Sequence, residues 1–113
     1  MKFVVLTLFK EMFDAFVSTS IIKRAIDKDI VSIDVLDIRD FTKDKHKRVD
    51  FPPYGGGSGM IMSAQPLGDA IDYAVLSLEK YKKEIKIIYM SPRGKVLNYN
   101  ISKNISKSNY NYI

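Results

Sequence analysis

Three stretches of the chain have the apolar patterns of strands, and helical patterns separate them. Residues 2–9 and 85–90 are nearly continuous apolar runs, whereas residues 31–38 alternate apolar and polar positions. Continuous runs of this length are typical of strands buried on both faces, and alternation is typical of strands buried on one face. The order strand, helix, strand with short links predicts a βαβ unit, which implies parallel strands and a right-handed crossover.

Three segments have the spacing of amphipathic helices. Residues 11–29 and 63–81 each place apolar side chains on one face, and a third helix is expected after residue 94. Pro66 suits the first turn of the second helix, where no N–H donor is needed. The apolar positions are Met12, Phe13, Phe16, Val17, Ile21, Ala25 and Ile26 in the first helix, Leu67, Ile71, Ala74, Val75 and Leu78 in the second, and Leu97, Ile101 and Ile105 in the third.

These patterns predict an α/β fold with a parallel sheet and flanking helices in a single domain, residues 1–113. Residues 109–113 fit either the start of a fourth strand or a frayed tail. Three strands with three helices are few for a doubly wound fold. We therefore expect the chain to be part of a larger domain.

Composition narrows the function classes only slightly. The chain of 113 residues has a net charge of +5, which favours an anionic partner such as nucleic acid, although many soluble proteins carry such a charge. It has no cysteine, which excludes disulfides and fits a cytoplasmic protein. No apolar run approaches the roughly 20 residues that a membrane-spanning helix needs. With one histidine and no cysteine, no metal site is predicted.

The most unusual stretch is residues 50–62, DFPPYGGGSGMIM, which holds four of the six glycines and two of the four prolines. It is neither a phosphate-binding P-loop nor a dinucleotide-binding motif, because the required glycine and lysine spacing is missing. Glycine lets another surface approach the backbone closely. The stretch is therefore either a contact surface for a flat or anionic group or a flexible surface loop.

Two further segments are candidates for binding. Residues 39–50 are rich in lysine and arginine and contain His46 and Asp50, so they suit phosphate contacts, unless they form only a solvated charged run. Residues 89–94 follow a predicted strand at its carboxyl end, where ligands bind in open α/β sheets. They could hold a nucleoside or be an ordinary strand-to-helix turn.

The order of five motifs resembles the bacterial tRNA (guanine-N1-)-methyltransferase family of the TrmD type. The motifs are LF-x-EMF at residues 8–13, RDFT-x-D-x-H-x-x-VD at 39–50, PYGGG-x-GM at 53–60, QPL at 65–67 and Y-x-SP-x-G at 89–94. The resemblance covers residues 1 to about 105. It implies transfer of a methyl group from S-adenosyl-L-methionine to N1 of the guanosine 3′ of the tRNA anticodon.

The resemblance also implies a homodimer of the SPOUT class, whose α/β domain contains a trefoil knot. It implies a cofactor-binding loop and a segment that contacts tRNA and the target guanine. The cofactor-binding residues would be Tyr89, Met90, Ser91, Pro92, Arg93 and Gly94, and the tRNA-binding residues would be His46, Asp50, Ser58 and Gly59.

The sequence departs from the family pattern at three residues and at its end. One of the three is Ser58, where proline or alanine is common. Lys10 stands where proline is usual and is expected to alter the turn before the first helix, and Phe51 stands where a second acid is usual. The knot, the C-terminal tRNA-binding domain and the family's catalytic base are all expected beyond Ile113. The chain is thus identified as an N-terminal part that lacks the knot, and we expect it to be inactive alone. The alternatives are a non-catalytic RNA-binding or dimer-partner fragment, and a nucleotide-binding α/β domain of another kind.

Overall fold

A four-stranded parallel sheet forms the centre of the computed structural model, which describes residues 1–113. In chain order, the elements are β1 (Lys2–Thr7), α1 (Glu11–Val17), α2 (Ser20–Asp27), β2 (Ser32–Asp37), a 3₁₀ turn (Ile38–Phe41), β3 (Asp50–Phe51), β4 (Ile61–Met62), α3 (Ala64–Glu79), β5 (Ile85–Lys86), α4 (Tyr99–Lys107) and β6 (Asn111–Tyr112). The predicted α/β class with a parallel sheet and flanking helices is confirmed. No helix has the length and apolar character needed to cross a membrane.

The last described residues form a strand inside the sheet. The strand order is β2-β1-β6-β5, so β6 lies between β1 and β5. Phe3 is aligned with Tyr112, and the Lys2 N–H donates to the side-chain oxygen of Asn111 at 3.1 Å. Of the two alternatives for residues 109–113, the strand is confirmed. The sheet has four strands rather than three because this short segment completes it.

The core is small and lies between α3 and the sheet. Val4 of β1 packs with Ala74 and Leu78 of α3, and all three are buried. Only nine of the 113 residues are buried, so the loss of any one large core side chain removes a substantial part of the packing. The predicted stripe of α3 is confirmed at Ala74 and Leu78, and Pro66 lies in its first turn.

The predicted single helix over residues 11–29 is wrong, because it is divided in two at Ser18 and Thr19. The two hydroxyls donate to the carbonyls of Asp14 and Ala15, at 2.6 and 2.5 Å, and Thr19 is extended. Hydroxyl groups that bond the preceding turn compete with helix continuation. Neither helix has a fully buried residue, and the apolar face predicted there is divided between half-buried positions and exposed ones such as Ile21, which is 74% accessible.

The turn before α1 differs from the expectation for Lys10. Its φ of −56° lies in the range that the proline ring imposes. Lysine at this position therefore has a φ that proline could also adopt, and the expected alteration of the turn stays a prediction.

The predicted buried strand over residues 85–90 is also wrong in extent. Only Ile85 and Lys86 form a strand, and the side chains from Ile87 to Met90 are exposed. β5 is an edge strand with β6 as its single neighbour, and β6 is two residues long. One further backbone bond, from Ile88 N–H to the Ile113 carbonyl at 2.7 Å, continues the pairing before the chain leaves the sheet.

Replacement of Tyr112 tests how far the sheet depends on β6. The ring stacks on Phe3 with 5.4 Å between centroids, and its hydroxyl lies 2.7 Å from the Ser108 hydroxyl. Tyr112→Ala should lower the free energy of unfolding by about 3–5 kcal/mol, measured by urea denaturation. Tyr112→Phe should cost about 1 kcal/mol, because only the hydrogen bond is lost. The exposed Tyr99→Ala serves as the control, and equal effects of Tyr112→Ala and Tyr99→Ala would contradict the role of β6.

Candidate functional site

The main cleft lies beside the amino end of α3 and has a volume of about 540 Å³. Three segments surround it: the basic segment before β3, the β3–β4 hairpin and the first turn of α3. Its lining residues are Thr42, Asp44, Arg48, Asp50, Phe51, Pro52, Met60, Ser63, Gln65 and Pro66. The structure therefore brings together the basic segment and the stretch on either side of the glycines, which the sequence marked separately.

The hairpin holds the glycine stretch as its connecting loop. Asp50 pairs with Met62 and Phe51 with Ile61 in antiparallel register. The Ser63 N–H donates to the carbonyl of the buried Val49 at 2.7 Å, so the hairpin is joined directly to the start of α3. Phe51, the departure from the family pattern, contacts the Tyr54 ring with 5.4 Å between centroids. An aromatic side chain at this position thus packs against the base of the loop.

All four loop glycines have left-handed backbone angles, with φ between 81° and 112°. A Cβ atom built on Gly55, Gly56, Gly57 or Gly59 would meet nothing within 4 Å. The glycines are therefore required by backbone conformation, and not by close packing within the chain. The loop presents its backbone to open space, which another molecule can approach.

A carboxylate organises the basic segment. Asp44 accepts from the His46 N–H at 2.8 Å and from two nitrogens of the Arg48 guanidinium, at 2.8 and 3.2 Å. Thr42 braces the same turn, because its hydroxyl donates to the Arg48 carbonyl at 2.8 Å and accepts from the Asp44 N–H. The hydrogen bonds from the Arg48 side chain hold the pKa of Asp44 well below its usual range. Asp44 is therefore ionised and committed to a structural ion pair.

Gln65 connects this segment to α3. Its amide nitrogen donates to the Phe41 carbonyl at 2.7 Å and to Asp69 at 2.6 Å, and its oxygen accepts from the Lys43 N–H at 3.3 Å. The sequence analysis included Arg48 in the basic segment and Gln65 in the QPL motif, but it did not predict the bonds that Asp44, Arg48 and Gln65 make. The spacing Thr-x-Asp-x-His, typical of side chains that cap their own turn, and the i,i+4 pair of Asp44 with Arg48 were the available signals.

The predicted tRNA-binding residues are partly brought together. Asp50 lines the cleft, whereas His46 is exposed and fixed through its backbone. Ser58 and Gly59 lie at the exposed tip of the loop. Of these four predicted residues, only Asp50 lines the cleft.

The predicted cofactor-binding residues form a separate exposed turn after β5. The Gly94 N–H donates to the Ser91 carbonyl at 3.0 Å, and the Arg93 N–H donates to the Ser91 hydroxyl at 3.3 Å. A Cβ atom on Gly94 would lie 3.1 Å from the Ser91 carbonyl oxygen, so a larger residue would crowd this tight turn. Tyr89 and Met90 are more than 80% exposed, and none of the six residues lines the cleft.

Comparisons with known proteins identify a family. The family model described as tRNA (Guanine-1)-methyltransferase TrmD matches residues 1–111. A tRNA (guanine-N(1)-)-methyltransferase of Caldanaerobacter subterraneus is 49% identical over 107 residues, which are 95% of this chain and 42% of that protein. Another, of Ruminiclostridium cellulolyticum, is 48% identical over 110 residues, which are 97% of this chain and 46% of that protein.

A solved structure has the same fold. The crystal structure of the tRNA (m1G37) methyltransferase from Aquifex aeolicus superposes with a TM-score of 0.78 at 32% sequence identity, covering 99% of this chain and 49% of that one. The chain spans less than half the length of the curated relatives that it matches.

The Asp44–Arg48 pair gives a pH test. The folded pKa of Asp44 is below its ordinary value of about 3.9, so the pair's contribution is complete above that value and is lost as the pH falls toward the lower folded pKa. In Arg48→Gln, the pKa of Asp44 should return toward the ordinary range, as followed by carboxyl NMR. Lys23→Gln removes the comparable surface ion pair with Asp27 and should leave the pKa of Asp44 unchanged. A pKa of Asp44 in the ordinary range in the parent chain would contradict the ion pair with Arg48.

Two glycine substitutions separate conformation from packing. Gly57→Ala meets no atom but is strained at its φ of 112°, so it should destabilise the chain by about 1 kcal/mol or more. Gly68→Ala, inside α3 and also in open space, should stabilise it by about 0.5–1 kcal/mol. Thermal melting of both variants measures the difference. Equal signs for the two changes would show that the loop does not hold these backbone angles in solution.

Proposed function

The chain belongs to the tRNA (guanine-1)-methyltransferase family TrmD, and on that premise we propose that residues 1–113 carry part of a methyltransferase site. The reaction is transfer of a methyl group from S-adenosyl-L-methionine to N1 of a guanosine in tRNA, at the position 3′ of the anticodon. The domain is of the SPOUT class, and the protein acts in the cytoplasm. The solved relative from Aquifex aeolicus, titled a tRNA (m1G37) methyltransferase, supports this choice of nucleotide.

The observation that carries the proposal is the open glycine loop above the cleft. A guanine base is flat. At the four glycines no other atom lies within 4 Å of the position that a Cβ atom would take, so the base can approach the loop backbone closely. Ser58 and Gly59 are the positions for this contact. Asp50 and the lysines beside His46 supply polar and cationic groups for the surrounding nucleotides.

The turn at residues 89–94 is the proposed wall of the S-adenosyl-L-methionine site. Its residues fit the group in two ways: Tyr89 and Met90 offer exposed apolar surface to an adenine ring, and the Ser91–Gly94 turn presents backbone groups. When bound, the cofactor supplies an electrophilic methyl group on a sulfonium. The turn then holds the nucleoside part in place, with Pro92 and Arg93 at its tip.

The chemistry requires a base, and we assign that role to none of the residues that line the cleft. N1 of guanine becomes a good nucleophile only when its proton is removed, so a positioned acceptor is needed. Asp44 is a poor acceptor because its pKa is lowered by Arg48. We assign no catalytic base within residues 1–113, and we expect no methyl transfer by these residues alone.

A second subunit would complete the site. The cleft and the turn at residues 89–94 share no lining residue, although both the methyl donor and the acceptor must lie within near-attack distance for transfer. A homodimer that places the turn of one subunit beside the cleft of its partner meets this requirement. It also accounts for the exposed apolar side chains of Tyr89 and Met90.

A chimera tests the proposal. Residues 1–107 of this chain would replace the corresponding segment of the Caldanaerobacter subterraneus relative, and transfer of a labelled methyl group to tRNA would be measured. The chimera should be active, and the 113-residue chain alone should be inactive. In the chimera, Gly94→Val should raise the KM for S-adenosyl-L-methionine at least about 10-fold while the KM for tRNA stays within about 2-fold.

Gly68→Ala in the same chimera is the matched control and should leave both constants unchanged. A folded but inactive chimera would overturn the proposal and favour a non-catalytic RNA-binding role. Transfer by the isolated chain at the rate of the relative would contradict the assignment of the base to another part of the protein.

A further inference from the structure

Four lysines meet at the amino edge of the sheet, at the opposite end of α3 from the cleft. Lys80, Lys82 and Lys83 follow the end of α3, and Lys2 begins β1. Tyr81 contacts two of them, with the Lys2 ammonium 4.2 Å and the Lys80 ammonium 5.1 Å from its ring centroid. We call these five residues the amino-edge cluster.

The lysines of the cluster have no acidic partners. The chain's ion pairs all lie elsewhere, although Glu79 and Glu84 flank the cluster in sequence. The ammonium group of Lys80, and after it that of Lys2, lowers the pKa of Tyr81. No carboxylate lies within 4.0 Å of these ammonium groups, and four lysines against two glutamates leave the area with a net positive charge.

Helix stabilisation explains only part of this arrangement. Lysines after a helix interact favourably with its last carbonyl groups, and this accounts for Lys80. It does not account for Lys2, which comes from a strand and places a second cation on the same ring. The Tyr81 ring attracts both cations, but the two cations repel each other. A bound anion would offset that repulsion, so the arrangement suits an anionic partner.

The length of α3 sets the distance to the cleft. Its 16 residues span about 24 Å. Gln65 at its first turn holds the basic segment of the cleft, and Tyr81 follows its last turn. The rigid helix α3 therefore holds the basic segment and the amino-edge cluster at a constant separation. Two cationic areas at a constant separation suit a long polyanion.

We propose that the amino-edge cluster binds the phosphate backbone of the same tRNA whose guanosine enters the cleft, as a second contact about 24 Å away. The inference rests on the proposed function for the identity of the RNA. Each lysine acts as a point charge that releases counterions from a phosphate, so the contact adds affinity without reading sequence. The exposed face of Tyr81 lies between these charges and can face a ribose or an unpaired base.

The test is the salt dependence of binding between the 113-residue chain and an unmodified tRNA transcript. The cluster variant carries Lys80→Gln, Lys82→Gln and Lys83→Gln, and its affinity at low salt should fall by about 10-fold or more. The slope of log affinity against log salt should decrease by about 2–3, close to one for each lysine removed. The matched control carries Lys28→Gln, Lys103→Gln and Lys107→Gln, three exposed lysines elsewhere, and should change affinity less than about 2-fold.

A third variant, with Lys43→Gln, Lys45→Gln and Lys47→Gln, separates this inference from the proposed function. If this third variant loses affinity and the cluster variant does not, the second contact is overturned and the assignment of the cleft stands. If only the cluster variant loses affinity, the cluster is supported and the role of the cleft in tRNA binding fails. Equal losses in the cluster and control variants, or no tRNA binding by the parent chain at low salt, overturn the inference.

A charge-preserving variant carries Lys80→Arg, Lys82→Arg and Lys83→Arg. It should keep the salt slope of the parent chain, which excludes loss of folding as the cause of the effect in the cluster variant.

Discussion

The packing of Ala74 and Leu78 against Val4 is the contact on which both ends of the molecule depend. It seats α3 on β1, and α3 in turn carries Gln65 at its amino end and Tyr81 just beyond its carboxyl end. The polar bonds of Gln65 then fix the basic segment over the first turn of the helix. A buried apolar contact thus sets the position of a solvent-exposed binding surface some distance away.

The site itself is built from polar bonds that leave its functional groups free. Asp44 and Thr42 satisfy the backbone of their own turn, and Gln65 satisfies the backbone next to it. None of these bonds uses the exposed side chain of His46 or the backbone of the glycine loop. The internal hydrogen bonds therefore fix the path of the chain, and the His46 side chain and the glycine-loop backbone remain exposed.

The sequence predicted those elements whose signals are local. An apolar run located β1, alternation of apolar and polar residues located β2, and helical spacing located α3 and α4. The extent of β5 could not be predicted, because a strand lasts only as long as its neighbour, and β6 contributes two residues from the far end of the chain. The helix break was missed because it depends on two hydroxyl groups, at Ser18 and Thr19, that bond backwards. For the site, the glycine loop and the basic segment were candidate contact surfaces, but the Gln65 bridge from the basic segment to α3 joins residues 22 and 24 positions apart and has no local pattern.

The insertion of β6 has a consequence for how the chain acquires its structure. The bond between Lys2 and Asn111 joins residues 109 positions apart, and the pairing of Phe3 with Tyr112 has the same separation. Contacts between residues so far apart in the sequence form slowly, because the chain loses the entropy of closing the long loop before the strands can pair. During synthesis from the amino terminus, β1 and β2 can pair early, but the inner edge of β1 stays open until residue 112 has been added. Until then, the nascent chain exposes an unpaired sheet edge. The rate of synthesis therefore sets how long this edge can pair with other chains.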